Sequence, residues 1–301
     1  MQSAQREQPR KLTLIRAGLP LHGWIGLGLA LLFWSVNWTW DGPRTQWAFF
    51  PMWLGYCLTV DGLVFWRKGN SLLTRDWRKY IGLFLISAPV WWAFELLNLR
   101  TQNWEYLGIH AFSSLAYAFW TTLSFTTVVP AVFGSAELLA SFSFIKRVGK
   151  GPILRPDRPT TAAFFVAGWV MLALLLLWPE IFFPFIWMSP FFVIEPVNVW
   201  LGNRTLAEWT KVGDWRPVIA LWAGVLTTAF FWEMWNYFSY PKWIYHVAWG
   251  GWLHIFEMPV LGYGGYLPFA LELYAFYHLI TGLFGRGQAS YLRIHPDETS
   301  D

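Results

Sequence analysis

The chain has 301 residues, of which 55% are hydrophobic and only 13% are charged, and it contains 24 tryptophans and one cysteine. Soluble domains carry about 25% charged residues, so this composition, with apolar runs of about 20 residues, indicates a polytopic membrane protein. A single cysteine excludes an internal disulfide, a cysteine-ligated zinc site and an iron–sulfur cluster.

Eight apolar runs follow a basic N-terminal tail, and the first seven have the length of one membrane crossing. The last run is too long for one crossing, and residues 130–145 extend the fourth. We therefore expect an all-α transmembrane bundle of about eight spans, with broken or re-entrant helices at 107–145 and 246–284. The runs cover residues 20–40, 46–66, 80–98, 107–129, 160–178, 181–200, 217–237 and 246–284.

Lysine and arginine are unevenly distributed over the connecting segments. All but three of the 22 fall on one side of the predicted membrane, and the other side holds Arg44, Arg100 and Lys242. By the positive-inside rule, both termini and the central linker are cytoplasmic, which predicts a multi-pass protein of the bacterial inner membrane. This topology explains the net charge of +4, so no nucleic-acid partner is predicted. The predicted segments are a tail (1–19), a four-span repeat (20–145), a basic linker (146–159), a second four-span repeat (160–285) and a tail (286–301).

The two halves share a sequence pattern at an offset of 138 residues, at which Asp76-Trp77-Arg78 matches Asp214-Trp215-Arg216. With no gap, Glu95 then meets Glu233, Asn98 meets Asn236 and Pro130 meets Pro268. Nearby, Trp104-x-Tyr106 resembles Trp243-x-Tyr245, and Asp61…Gly69-Asn70 resembles Glu195…Gly202-Asn203. An even number of spans per half predicts two parallel repeats about an axis along the membrane normal, with a site at their interface.

Each half contains a Glu-x-x-Asn pair, Glu95 with Asn98 and Glu233 with Asn236. Residues three apart share one face of a helix. A charged side chain in hydrocarbon costs at least ~2.5–3.5 kcal/mol, so these pairs need a reason. They are either helix caps with an interhelical hydrogen bond or carboxylates held by an amide for acid–base chemistry.

The last apolar run holds further polar side chains, and its glycines and prolines interrupt any single helix. We expect Glu257 to lie deep in the membrane with His254 as its helical neighbour. One His-x-x-Glu pair does not match a di-iron pattern, so we predict no metal site and assign no cofactor. The predicted catalytic residues are Glu95, Glu233, His254, Glu257 and Glu272. The predicted substrate-binding residues are Asn98, Asn236, Trp232, Trp243, Tyr245 and Trp252.

A Trp-x-Tyr motif, an apolar break and a segment with proline and glutamate occur once per half. In this arrangement the chain resembles the small integral-membrane lycopene cyclases, which have tandem multi-span halves with a Pro-x-Glu-Glu motif in each. The resemblance covers about residues 95–140 and 233–275 and implies proton-initiated cyclisation or hydration of an isoprenoid. The matching stretches, which lack Pro-x-Glu-Glu itself, are Val129-Pro130…Glu137, Glu257-Met258-Pro259 and Leu267-Pro268…Glu272.

Three classes of function are compatible with these residues. The first is an intramembrane enzyme that acts by acid–base chemistry on an isoprenoid or other lipid. The second is a structural or pigment-holding subunit of a larger respiratory or photosynthetic membrane complex. The third is a proton-coupled transporter that uses the carboxylates as proton sites. The predicted partners are accordingly membrane lipid, an isoprenoid or carotenoid ligand, and subunits of a membrane complex.

Overall fold

A computed structural model describes residues 18–288 and 291–298 of the chain, and this structure is mostly helical. Most of the predicted N-terminal tail 1–19 therefore lies outside the described residues. The α-helices are α1 (Leu21–Thr39), α2 (Thr45–Lys68), α3 (Leu72–Arg75), α4 (Trp77–Thr101), α5 (Ser114–Phe125), α6 (Val128–Ala140), α7 (Ser143–Lys146), α8 (Arg158–Leu177), α9 (Pro179–Phe182), α10 (Ser189–Leu201), α11 (Ala207–Thr210), α12 (Arg216–Tyr237) and α13 (Tyr266–Leu283).

Five helical segments of the described chain are long and apolar enough to cross a membrane. They are α2, α4, the continuous stretch Ser114–Ala140, α8 and α12. A sixth follows if Pro179–Trp187 and α10, which are bent by 41° relative to each other, form one broken span. This number is smaller than the eight predicted spans because α1 and α13 carry polar side chains, such as Asn37 and Glu272, that lower their hydropathy.

Local sequence signals explain where several of these helices begin and end. The Asp76 carboxylate accepts the Arg78 N–H at 3.0 Å and so caps α4, and Asp157 caps α8 in the same way. Helices α2 and α10 end at Gly69 and Gly202, whose φ angles of 79° and 72° fall in the left-handed region that glycine adopts without strain.

Helix packing brings the two halves of the chain together at the centre of the bundle. Helix α1 packs on α2 as α8 packs on α10, while α6 and α13 each contact the neighbouring long helices of their own half. The halves meet where α12 crosses α6, at Gly224. A Cβ atom there would lie 2.5 Å from the backbone nitrogen of Ala136, so only glycine permits this approach.

Short strands lie at the end of the bundle opposite the linker, and the sequence analysis predicted none of them. Strand β1 (Trp104–Leu107) pairs antiparallel with β2 (Lys242–Tyr245), and β3 (His254–Ile255) pairs with β4 (Met258–Pro259). A 3₁₀ turn spans Val260–Gly265 before α13 begins. The prediction that Glu257 lies deep within a helix is therefore wrong, because its glycine- and proline-rich surroundings form a strand and turn layer.

Candidate functional site

The antiparallel ribbon of β1 and β2 joins the two halves of the chain. Trp104 is paired with Tyr245, and Tyr106 is paired with Trp243. Cross-strand partners and residues two apart share one face of a ribbon, with Cβ atoms of direct partners about 4.5–5.5 Å apart. The four rings therefore form one aromatic patch that contains two residues from each half.

Two asparagines fix the ribbon to the long helices. The Asn236 amide donates to the Trp243 carbonyl at 2.7 Å, and its oxygen accepts the Trp243 N–H at 2.9 Å. Asn98 donates to the Trp104 carbonyl at 2.7 Å and accepts the N–H groups of Asn103 and Trp104 at 2.8 and 3.3 Å. Both side chains are buried, so each Asn ties the end of its helix to the strand that follows.

The Glu95 carboxylate lies behind the ribbon and accepts three hydrogen bonds on one oxygen. The donors are the Tyr106 hydroxyl at 2.6 Å and the indole N–H groups of Trp91 and Trp104 at 2.9 and 3.1 Å. Because all three donors are fixed by helix or strand, the carboxylate is held in one orientation beside the aromatic patch.

The Glu233 carboxylate has the corresponding place in the second half. One of its oxygens accepts the hydroxyls of Tyr245 and Tyr266 at 2.7 and 2.6 Å. The indole of Trp243 in turn donates to the Tyr245 hydroxyl at 2.9 Å. Glu233 is fully buried, and its second oxygen has no hydrogen-bond partner among the residues that the structure describes.

The two ribbon tyrosines remain hydrogen-bond donors at all ordinary pH values. Burial, with the charge of the neighbouring Glu95, raises the pKa of Tyr106 well above its usual value. Burial and the neighbouring Glu233 raise the pKa of Tyr245 in the same direction. Both hydroxyls therefore stay protonated and can relay a proton only by exchanging it with their glutamates.

These tyrosines line a cavity of about 390 Å³ that both halves enclose. Its walls contain one charged side chain, Lys242, and many aromatic rings, which suits an apolar, unsaturated or cationic ligand. Both glutamates lie behind the wall formed by their tyrosines. The aromatic lining residues are Phe49, Trp91, Trp104, Tyr106, Phe112, Tyr117, Trp120, Phe125, Phe183, Trp187, Trp232, Trp243, Tyr245, Trp249, Tyr266 and Phe269.

Some of the predicted site residues come together at this cavity. Trp232, Trp243 and Tyr245 line it, and the two Glu-x-x-Asn pairs support its walls from behind. For the asparagines the contacts fit the first of the two alternatives, a cap at the helix end. For the glutamates they do not show the amide contact of the second alternative, because tyrosine hydroxyls and indole N–H groups hold both carboxylates.

Other predicted residues lie elsewhere. Trp252 and His254 are exposed outside the cavity walls, so the expected His254–Glu257 pair on one helix face is wrong. Glu257 instead forms an ion pair with Lys242, which ties the turn beyond β3 to β2. His246 pairs with Glu105 at the surface at 2.9 Å. Glu272 is fully buried in α13 and does not line the cavity.

Sequence reasoning did not assign Trp91, Tyr106 or Tyr266 to the site. The repeated Trp-x-Tyr motif was the available signal for Tyr106, because it marks equivalent places in the two halves. For Trp91 the only signal was its spacing, because it lies four residues, or about one helical turn, before Glu95. Tyr266 reaches Glu233 from another helix, which no local spacing indicates.

The fold and cavity together define a helical, membrane-protein-like chain. Its aromatic cavity has two carboxylates directly behind the wall. No family model matches the chain, and no curated protein or solved structure matches it either. Among residues 18–288 and 291–298, no group of three or more His, Cys, Asp or Glu side chains is arranged to hold a metal ion.

Proposed function

We propose that the chain is a bacterial inner-membrane protein of eight spans, built from two parallel four-helix repeats with cytoplasmic termini and linker. Equivalent contacts in the two halves support the repeat. The Asp76 and Asp214 carboxylates accept the N–H groups of Arg78 and Arg216 at 3.0 and 3.1 Å. The eight spans would be α1, α2, α4, α5 with α6, α8, α9 with α10, α12 and α13.

The ribbon gives the repeat its strongest support. A two-fold axis between β1 and β2 would exchange Trp104 with Trp243 and Tyr106 with Tyr245, so each Trp would face the other half's Tyr. The observed register has this property. The same axis would exchange the two Glu–Tyr pairs, which supports a site at the repeat interface, as is common in proteins with internal repeats.

We further propose that the cavity binds an isoprenoid or similar unsaturated lipid and that the chain is an acid–base enzyme acting on it. The observation that carries this proposal is the presence of two glutamates, Glu233 buried and Glu95 partly buried, each hydrogen-bonded to one or two tyrosines that line one aromatic cavity. Acid–base catalysis on a carbon–carbon double bond needs a proton donor, groups that stabilise a cation and a proton acceptor. The site must also keep bulk water away from the cation.

In this scheme Glu233 is the acid, because one of its oxygens shares hydrogen bonds with the hydroxyls of two tyrosines that line the cavity. Tyr266 or Tyr245 gives its hydroxyl proton to one carbon of the double bond and takes the Glu233 proton in return. The carbocation that forms is stabilised by the surrounding ring faces and by the Glu95 carboxylate. A second double bond or a water molecule then attacks the carbocation, and the proton that is lost returns through the tyrosine to the Glu233 carboxylate. The product is a ring isomer in the first case and an alcohol in the second.

A pigment-holding subunit is the second candidate. One observation favours it: the Tyr106 hydroxyl and the Trp91 and Trp104 indoles, all in residues that line the cavity, donate to a single oxygen of Glu95, which makes a rigid cage. A cage of this kind would hold a conjugated ligand in one orientation without changing it.

The two candidates are separated by comparing what co-purifies with wild type and with Glu233→Gln. We expect the variant to fold, because Gln keeps the size and the acceptor oxygen, and to retain an unreacted substrate. Chromatography with mass spectrometry should then find an isomer or hydrate of that molecule in the wild type. The control is Glu105→Gln, an exposed change on the same ribbon, which should match the wild type. The same unaltered molecule in all three proteins would refute the enzyme and favour the subunit.

A further inference from the structure

A row of buried, proton-exchanging side chains lies between α10 and α13. The side-chain atoms in question have no hydrogen-bond partner within the part of the chain that the structure describes. The groups are both oxygens of Glu272, the second oxygen of Glu195, the hydroxyls of Ser189 and Tyr274, and one ring nitrogen of His278. All five residues are at least nine-tenths buried, so each unpartnered polar group is costly unless something else satisfies it.

One end of this row lies directly beneath the aromatic cavity. Glu272 follows the cavity residue Phe269 by three positions and therefore lies on the same face of α13. Its carboxylate faces the Phe191 N–H at the start of α10. Ser189 follows the cavity residues Trp187 and Met188 along the chain. The first two members of the row therefore lie next to residues that line the cavity, although neither lines it itself.

The other end of the row lies at the predicted cytoplasmic surface. The rings of Tyr274 and His278 have centroids 4.4 Å apart, and the first oxygen of Glu195 accepts the Leu206 N–H at 2.7 Å. Arg204 lies 5.1 Å from the ring centroid of Trp209, which contacts Tyr274, and is paired with Glu208 at 3.3 Å and Glu298 at 2.9 Å. From Glu272 to His278 the row rises about 9 Å along α13, from six residues at 1.5 Å each.

The corresponding helices of the first half do not share this feature to the same extent. There the Tyr56 hydroxyl, fully buried between α2 and α6, bonds to Ser135 at 2.7 Å. Asp61 accepts hydrogen bonds from Ser71 at 2.6 Å and from the Leu73 N–H at 3.0 Å. Within the described residues, the first half has unpartnered atoms on Glu137 and Tyr80, but the larger set lies on α10 and α13 of the second half, which also holds the Glu233 site.

We propose that the row is a hydrated proton path that connects the cytoplasmic surface with the floor of the cavity. A buried polar crevice whose groups lack protein partners is where ordered water is retained, and each water needs two to four such partners. Hydroxyl, imidazole and carboxyl groups linked by water pass protons in sequence. Protons enter at the cytoplasmic end of the row, and Glu272 delivers them beneath the cavity. The path goes beyond the proposed chemistry and would serve a carrier equally well.

Infrared spectroscopy of the protein in lipid nanodiscs tests the path without any ligand. Glu272, buried without a side-chain partner, should be a neutral carboxylic acid whose carbonyl stretch disappears in Glu272→Gln. On transfer to D₂O this band should shift quickly in the wild type. Tyr274→Phe removes only an unpaired hydroxyl, and Glu195→Gln removes a second link, so each should slow the shift by about tenfold or more.

Glu208→Gln is the matched control, because it alters a more exposed carboxylate of the same region that pairs with Arg204. It should leave the internal exchange at Glu272 within about twofold of wild type, since alternative surface acids remain. Absence of a band that depends on Glu272, or equal exchange rates in the wild type, Tyr274→Phe and Glu195→Gln, would overturn the path. Those outcomes leave the Glu233→Gln comparison unaffected, so failure of the path and failure of the enzyme proposal are distinguishable.

Discussion

Replacing Asn236 with alanine tests whether the ribbon is fixed to the helices as described. The change removes a hydrogen bond of 2.7 Å and one of 2.9 Å and leaves the backbone N–H and carbonyl of Trp243 without those partners. Each lost partner costs about 1–3 kcal/mol. The better helix propensity of alanine returns roughly 0.6 kcal/mol. Because Trp243 is only partly buried, we expect a net loss of about 2–3 kcal/mol in unfolding free energy.

The measurement is the unfolding equilibrium in mixed micelles of a mild detergent and dodecyl sulfate, followed by near-UV circular dichroism. Asn98→Ala, the equivalent change in the first half, should cost a similar amount, since it also leaves strand backbone groups unpartnered. Asn70→Ala is the control, because it removes one hydrogen bond from Arg75 near the surface and should cost about 1 kcal/mol or less. A loss for Asn236→Ala no larger than for Asn70→Ala would refute the reasoning.

Three further changes test the packing, the surface and the topology. Gly224→Ala should destabilise the protein by about 1–3 kcal/mol through overpacking, whereas Gly82→Ala, where a Cβ meets no atom within 4 Å, should be neutral or stabilising in the same unfolding assay. The Arg216 guanidinium holds the pKa of Asp214 below its usual range. Asp214 should therefore contribute stability fully above the unfolded pKa of about 3.9 and lose it only as the pH falls through the lower folded value. Asp214→Asn should abolish this part of the acid dependence in a pH titration of unfolding, and an unchanged profile would contradict the pairing. A cysteine replacing Lys150, in a background without the native cysteine, should react with an impermeant maleimide only from the cytoplasmic side, and periplasmic labelling would refute the four-plus-four topology.

The helical class could be predicted from the sequence alone, and the two Glu-x-x-Asn pairs could be recognised in it. Apolar length and helical spacing depend on neighbours along the chain, which a sequence displays directly. Asn98 and Asn236 were recognised because amides are rare in such runs. Their contacts with the next strand are also local, because Asn236 reaches only seven positions ahead.

The strand and turn layer was not predictable in the same way. Aromatic residues around Trp243 have strand propensity, but the four-residue strand forms here because it pairs with Trp104–Leu107. That partner lies far away in the chain, so the local sequence does not reveal the pairing. Glycine and proline occur both in such a layer and in a broken helix, so the residue pattern does not separate the two. Glu257 was misplaced for that reason, and its Lys242 partner lies on a different strand.

Energy transfer from tryptophan to bound all-trans-retinol, a conjugated isoprenoid probe, tests the central claim most directly. Seven tryptophans line the cavity, so a ligand within it should quench their emission in a saturable titration in nanodiscs. Gly264 lines the cavity, and a side chain there would meet no protein atom within 4 Å, so Gly264→Phe should occupy the space and weaken binding. Gly28→Phe, an equally open position on α1 outside the cavity, should bind as the wild type does. Saturable quenching that Gly264→Phe alone diminishes is the predicted result, and identical or non-saturable quenching in all three proteins would contradict a ligand-binding aromatic cavity.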